Sequence, residues 1–294
     1  MKNADKKSLT IFKMGTKIRN AYVAGKFYPS TSSGIKDLFD QLKSPTETAD
    51  FDDLLDKNII GAILPHAGYI YSGAHVIPFF DILNKGKQSF ESIIILHPIH
   101  RGGRIDCASD NSNFWSSPLG KTELDHAFIH SMGIELSDDL LKWEHSAEVF
   151  LPFIQNYLPK NTKIIPIGMT MQKPEVARDI SGMISKAQKE TGRKTGMIAS
   201  SDFSHFVAPG VGRMMDQKVI DRILAFDPEG VYNVIREENI SVCGFGPIMA
   251  LLFYANSLEK PVKARILSRG HSGEVNPASP DSVVDYVSIL MYQD

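Results

Sequence analysis

Three short apolar runs, each ending in residues that titrate, constrain this chain more than any other feature. The first is Ile59-Ile60-Gly61-Ala62-Ile63-Leu64, stopped by Pro65 and followed by His66, Ala67 and Gly68. The second, Ser92-Ile93-Ile94-Ile95-Leu96, runs into His97-Pro98-Ile99-His100. The third, Met197-Ile198-Ala199-Ser200-Ser201, runs into Asp202-Phe203-Ser204-His205. Runs of this length that halt at a turn residue read as buried strands of an α/β sheet. Proline cannot donate to a sheet ladder, so the first strand ends at Pro65. Open α/β sheets hold their ligands in a crevice at the carboxyl ends of the strands. A single histidine past a strand end is ordinarily packing; three polar endings on one rim imply a site.

Between the first two runs, a helix opening at Ser72 or Gly73 carries Val76, Phe79, Phe80, Ile82 and Leu83 on its apolar face. Strand, helix, strand at this spacing is a βαβ unit with parallel strands. Further helices are expected at Ser33 to Leu42, Asp125 to Met132, after Glu144-His145-Ser146-Ala147-Glu148, at Pro174 to Lys189, Val211 to Phe226, from Pro228, and at Ile248 to Ala255. Further strands are expected at Lys163 to Gly168, Val262 to Leu267 and Val283 to Met291. Pro45 to Asp53 and Ser268 to Asp281 read as polar loops, and Phe114 to Gly120 as a loop with exposed aromatics. The fold class is therefore α/β, with a central twisted, mostly parallel sheet and helices on both faces. No repeat, low-complexity tract or linker divides the 294 residues. Residues 17–294 read as a single domain behind a flexible tail over residues 1–16.

With 43% hydrophobic and 22% charged residues the chain can bury a large core. A formal net charge of -2 gives no case for nucleic-acid binding through bulk charge. No stretch is long and apolar enough to span a bilayer, so no membrane partner is expected. The basic start of the chain lacks a following apolar core and does not read as a signal peptide. Two cysteines, Cys107 and Cys243, cannot build a disulfide framework, which fits a reducing cytoplasm.

The chemistry falls into two sets. His66, His100 and Cys243 offer two imidazoles and a thiolate, a donor set for iron, copper or zinc. Three protein ligands leave positions open for water, substrate or dioxygen. Cys243 precedes Gly244 and a helix start, where the positive helix end is expected to lower its pKa. The second set is Asp202, His205, Glu144, His145 and Glu148. Asp202 and His205 lie three apart on a turn, where one can orient the other for proton transfer. His145 is placed for charge stabilisation or proton transfer. Glu144 and Glu148 also read as acids favoured at a helix start. Tyr69 and Tyr71 are candidate pocket residues, with packing as the alternative. Cys107 reads as structural.

Taken together, these residues resemble the Memo family, whose bacterial and archaeal members are called AmmeMemoRadiSam system protein B. The resemblance is carried by Ala24-Gly25-Lys26-Phe27-Tyr28-Pro29, Pro65-His66-Ala67-Gly68-Tyr69-Ile70-Tyr71-Ser72-Gly73, and Glu144 to Glu148 with Leu151-Pro152-Phe153. It continues through Ile165-Pro166-Ile167-Gly168, Ser200 to His205, and Cys243-Gly244 with Pro247-Ile248. The resemblance implies a LigB-like fold related to the class III extradiol dioxygenases, which use non-haem iron. It implies metal ligation by His66, His100 and Cys243, with Asp202 and His205 in the same pocket; Tyr69, Glu144 and Glu148 are the residue-level candidates for substrate binding. It implies iron(II) as the metal, with copper or zinc as alternatives. Radical-SAM and AMMECR-type proteins are the partners it implies. The family's Gly-Pro-x-His is here His97-Pro98-Ile99-His100, so His97 is an extra imidazole and an alternative ligand. The reading is a metal-dependent redox protein or oxidoreductase acting on a small molecule or peptide. The alternatives are a non-catalytic peptide- or protein-binding module using the same cleft, and a hydrolase-type site that is metal-free or binds zinc.

Overall fold

The apolar runs do become neighbouring strands. The structure, a computed structural model, describes residues 15–43, 51–86, 88–276 and 281–294. In chain order it begins with β1 (Ile18–Arg19), α1 (Ser32–Lys43), β2 (Asn58–Leu64), α2 (Tyr69–Lys85) and β3 (Ser92–Pro98). Next come β4 (Cys107–Ser109), β5 (Phe114–Ser117), β6 (Gly120–Glu123), α3 (His126–Met132), α4 (Asp138–Leu141) and α5 (Leu151–Tyr157). Then follow β7 (Lys163–Met169), α6 (Pro174–Thr191), β8 (Thr195–Ser200), β9 (His205–Val207), α7 (Pro209–Leu224) and α8 (Pro228–Glu237). The chain closes with α9 (Phe245–Asn256), β10 (Lys263–His271) and β11 (Val283–Gln293).

The main sheet runs β10-β11-β2-β8-β3-β7-β4, with β9 pairing to β11. Its centre, β2-β8-β3-β7, is parallel throughout. Antiparallel strands extend both sides, β4 on β7 and β11 on β2. The sheet is thus mixed around a parallel core. Ile93 to Leu96 and Ile63 to Leu64 are wholly buried, as strands covered on both faces must be. Chain direction explains the covering. The β2-α2-β3 crossover steps one way past β8, and β7-α6-β8 steps back past β3. Right-handed crossovers in opposite directions put α2 and α6 on opposite faces. A three-stranded sheet, β1-β5-β6, packs alongside.

Several local expectations shift. α2 begins at Tyr69 with Gly68 as its N-cap, earlier than Ser72 or Gly73. Phe114 to Ser117 is a strand, and Trp115 is buried beneath the Arg19 guanidinium, 4.2 Å from the ring centroid. Ser268 to His271, the start of the second polar stretch, continues β10, and residues 277–280 of that stretch lie outside the described residues. Residues 1–14 of the expected tail and 45–50 of the first polar loop lie outside the described residues. No helix among the described residues is long and apolar enough to cross a membrane.

Candidate metal centre

β2, β8 and β3 end side by side, so the residues that follow them share one rim. His66 follows β2 and is 2% exposed. His100 follows β3 and is partly open to solvent. Cys243 arrives from the loop before α9, and its backbone N–H donates to the Asp202 carbonyl at 3.3 Å. One donor atom from each of the three lies within 4.8 Å of the others.

The polar neighbours fix which atoms face that point. Ser200 donates its hydroxyl proton to the Ser146 carbonyl at 2.6 Å. Its oxygen therefore accepts from His66 Nδ1, also at 2.6 Å. Nδ1 carries the ring proton, and Nε2 presents a lone pair 3.2 Å from Cys243 Sγ. Glu144 does the same for His100. Its carboxylate accepts from His100 Nδ1 at 3.0 Å and from the His100 backbone N–H at 2.8 Å. It also accepts the backbone N–H groups of His145 and Ser146, at 2.9 and 3.1 Å. A carboxylate or hydroxyl behind a ligating histidine is the usual device for fixing its tautomer and raising its basicity. The His145 ring stacks on His100 at 4.7 Å and meets His66 edge-on at 5.4 Å.

Burial sets the charges. Burial, then His145 and His100, pushes the His66 imidazole well below the ordinary histidine range, so it is neutral at physiological pH. Burial alone would raise Glu144, but the hydrogen bonds from His100 and His145 outweigh it and hold the carboxylate ionised. Burial raises Asp202, against the backbone N–H donors of His66 and Ala67. Burial, then Asp202, pushes the Cys243 thiol well above its ordinary range. This is opposite to the effect expected from the helix end. Gly244 is the N-cap of α9, so Cys243 sits outside the helix, and desolvation outweighs the dipole. A divalent cation reverses that balance by drawing the thiolate.

The donor set fits such a cation. Metal bonds of about 2.0 Å to nitrogen and 2.3 Å to sulfur at a tetrahedral angle place the two donors about 3.5 Å apart. The 3.2 Å between His66 Nε2 and Cys243 Sγ is close to that. Two cavities flank the cluster, of about 430 and 600 Å³. His145, Asp202, Tyr71 and Phe27 line the first; His100, Cys243 and Gln172 line the second; His205 borders both.

Three expected site residues go elsewhere. Tyr69 is buried in the core against Phe39 and Phe153, its hydroxyl donating to the Val149 carbonyl at 2.5 Å; Tyr71 lines the cleft instead. Glu148 is wholly buried away from the cleft. Its carboxylate pairs with Arg19 at 2.6 Å and accepts the backbone N–H groups of Tyr22 and Val23 and the Tyr28 hydroxyl. His97 is enclosed in β3, its Nδ1 donating toward Ser146 Oγ at 3.0 Å, outside the donor cluster. The expected Asp202 and His205 pair is also different. His205 Nδ1 donates to the Ser241 carbonyl at 2.7 Å, while Asp202 Oδ1 accepts the His66 backbone N–H at 2.7 Å. Sequence reasoning missed Ser200, Ser241 and Gln172 as site residues. Gln172 donates to the Cys243 carbonyl at 2.8 Å and accepts from the Gly246 N–H at 2.7 Å. Ser200 was findable, because it ends the third apolar run.

A mixed sheet with a parallel core, gathering two histidines and a cysteine at its carboxyl rim, defines an α/β protein with a candidate metal centre. The Memo-like protein family matches residues 19–290. A MEMO1 family protein of Methanosarcina barkeri is 32% identical, covering 93% of this chain and 100% of that protein. Relatives of the same description from Archaeoglobus fulgidus and Desulfurococcus amylolyticus are 34% and 35% identical, each covered to 99%, over 93% and 94% of this chain. The chain belongs to the Memo family. An uncharacterized Escherichia coli K12 crystal structure overlaps 78% of this chain and 99% of its own at TM-score 0.46 and 11% identity, too loosely for detail to transfer.

Proposed function

We propose that His66, His100 and Cys243 hold one redox-active metal and that the protein is a metal-dependent oxidoreductase of the LigB-like kind. The observation that carries this reading is the convergence of three donors, two of them histidines whose Nδ1 is already committed to a hydrogen bond. Magnesium and calcium want oxygen ligands and do not suit the set. Iron(II) is favoured through the resemblance to non-haem iron dioxygenases, with copper or zinc behind it. When bound, the metal supplies a Lewis acid and an electron carrier beside the open cleft. The chain supplies the rest. His205, with Nδ1 committed to Ser241, offers Nε2 as an acid/base group at the junction of the two cavities. Asp202 fixes the backbone of His66, and His145 with Tyr71 lines the entrance. Ionised Glu144 keeps His100 oriented.

The test is anaerobic purification from the native host followed by metal analysis. About one iron per chain is expected, lost in His66→Ala and Cys243→Ser and retained in His97→Ala and His205→Ala. Metal lost from His97→Ala but kept in His100→Ala would overturn the ligand set. Partner or peptide binding that survives His66→Ala and Cys243→Ser would instead support the binding-module reading. Co-purification from the same host tests for radical-SAM and AMMECR-type partners.

A further inference from the structure

Two carboxylates outside the donor cluster are buried together. Asp216 on α7 is wholly buried and Asp285 on β11 is 5% exposed. Asp216 Oδ1 accepts from Ser204 N at 3.1 Å and from Ser204 Oγ at 2.6 Å. Asp216 Oδ2 receives no N–H or O–H donor from the described residues. Gly212 lies one turn before Asp216 on the same helix face. A methyl group there would stand 2.3 Å from Asp285 Oδ2, so glycine leaves the room that this carboxyl occupies.

The surrounding groups do not neutralise the pair. Arg269 on β10 acts on both acids from a distance, but its guanidinium donates to Gln217 Oε1 and the Arg213 carbonyl, at 2.8 and 2.7 Å. Arg213 lies on α7, and Tyr286 follows Asp285 on β11. His271, opposite Asp285 in the β10–β11 register, sits 3.8 Å from Glu274, whose own charge opposes ionisation of Asp285. Two touching carboxylates in a low-dielectric interior cannot both ionise.

We infer that Asp216 and Asp285 share one proton at neutral pH, and that this acid–carboxylate pair is a positioning device for the loop carrying Asp202 and His205. The proton supplies the donor that Asp216 Oδ2 otherwise lacks. The grip on the loop is direct. Asp285 N donates to the Ser204 carbonyl and the Asp285 carbonyl accepts from Phe203 N, both at 2.9 Å, while Asp216 takes the Ser204 hydroxyl and amide. The two residues between Asp202 and His205 are thus held from α7 and β11 at once. Burial, then the contact with Asp216, pushes the Asp285 carboxyl up to about 8, in agreement with a retained proton. The pair goes beyond the proposed redox function and stands whether or not a metal binds.

Infrared difference spectroscopy of the full chain with isotope-labelled aspartate tests it. At about pH 6 ordinary aspartates are ionised, so the wild type should show a protonated-carboxyl stretch that fades as pH rises through about 8. Asp285→Asn and Asp216→Asn should each remove it, and Asp202→Asn should leave it. In the same titration the His205 ring resonance should step at the pH where the band fades, and Asp285→Asn should abolish that step. Absence of the band in the wild type, or its survival in both pair variants, would overturn the shared proton. So would stoichiometric calcium or magnesium lost on Asp285→Asn. A band that fades with no step at His205 would overturn the positioning role. The wild-type measurements stand even if a variant fails to fold.

Discussion

Glu144 and Glu148 lie four residues apart and look alike in sequence, yet they do different work. Glu144 orients His100 at the cleft; Glu148 anchors the N-terminal segment through Arg19, Tyr22, Val23 and Tyr28. Nothing local separates them, because the partners of Glu148 lie more than a hundred residues away. Removing one partner of a buried ion pair costs about 3–5 kcal/mol. Glu148→Ala should lose about that much in denaturant unfolding while metal content per folded chain stays unchanged. Loss of metal from the folded variant would return Glu148 to the site. Ser200→Ala is the converse case. It removes the acceptor that holds the proton on His66 Nδ1, and disturbing such a partner typically weakens metal affinity about 10–100-fold. Chelator competition should register that loss with little change in melting temperature; undiminished affinity would show that Ser200 only packs.

At the scale of elements, the apolar runs were legible because strands buried on both faces need unbroken apolar sequence, and β2, β3 and β8 lie where those runs are. Placing His66 at the rim followed from Pro65. Which way α2 turns its first residues did not follow. The helix begins three or four residues before the expected start, so Tyr69 and Tyr71 both lie in its first turn, where Tyr69 faces the core and Tyr71 meets the cleft. Trp115 was misread because its cover, Arg19 on β1, reaches it through a parallel pairing between segments nearly a hundred residues apart. The parallel core depends on one further detail the sequence shows only as a small residue. A methyl group on Gly61 would stand 2.4 Å from the Met197 carbonyl on β8, and backbone cannot swing aside as a side chain can. Gly61→Ala should therefore destabilise the fold by about 1–3 kcal/mol, the usual range for overpacking, and shift the rim that carries His66. An unchanged denaturation midpoint would mean that β2 and β8 can separate freely.

At the scale of the molecule, the last strand interlocks with the first core strand. β11 lies between β10 and β2, and β8 lies between β2 and β3. Any cut of the chain between β3 and β8 leaves core strands without their neighbours. Far-ultraviolet dichroism and tryptophan fluorescence should therefore report one coincident unfolding transition, and two separated transitions would sink the single-domain reading. Acid should weaken this unit through its enclosed histidines. Burial pushes His97 down to about 4 and holds His66 well below its ordinary range. The sign follows from proton linkage. An unfolded histidine binds its proton near pH 6.5, the folded one only near 4, so falling pH feeds the unfolded state. His97 thus contributes stability that is present above about pH 6.5 and lost on the way to about 4, roughly 3 kcal/mol in all. Metal-free His97→Asn keeps a side-chain N–H toward Ser146 but cannot titrate. Measured against the metal-free wild type, its stability deficit should shrink steadily as pH falls from 6.5 toward 4, through the loss of that acid-sensitive share in the wild type. A deficit that stays constant across that window would show that His97 does not titrate inside the fold.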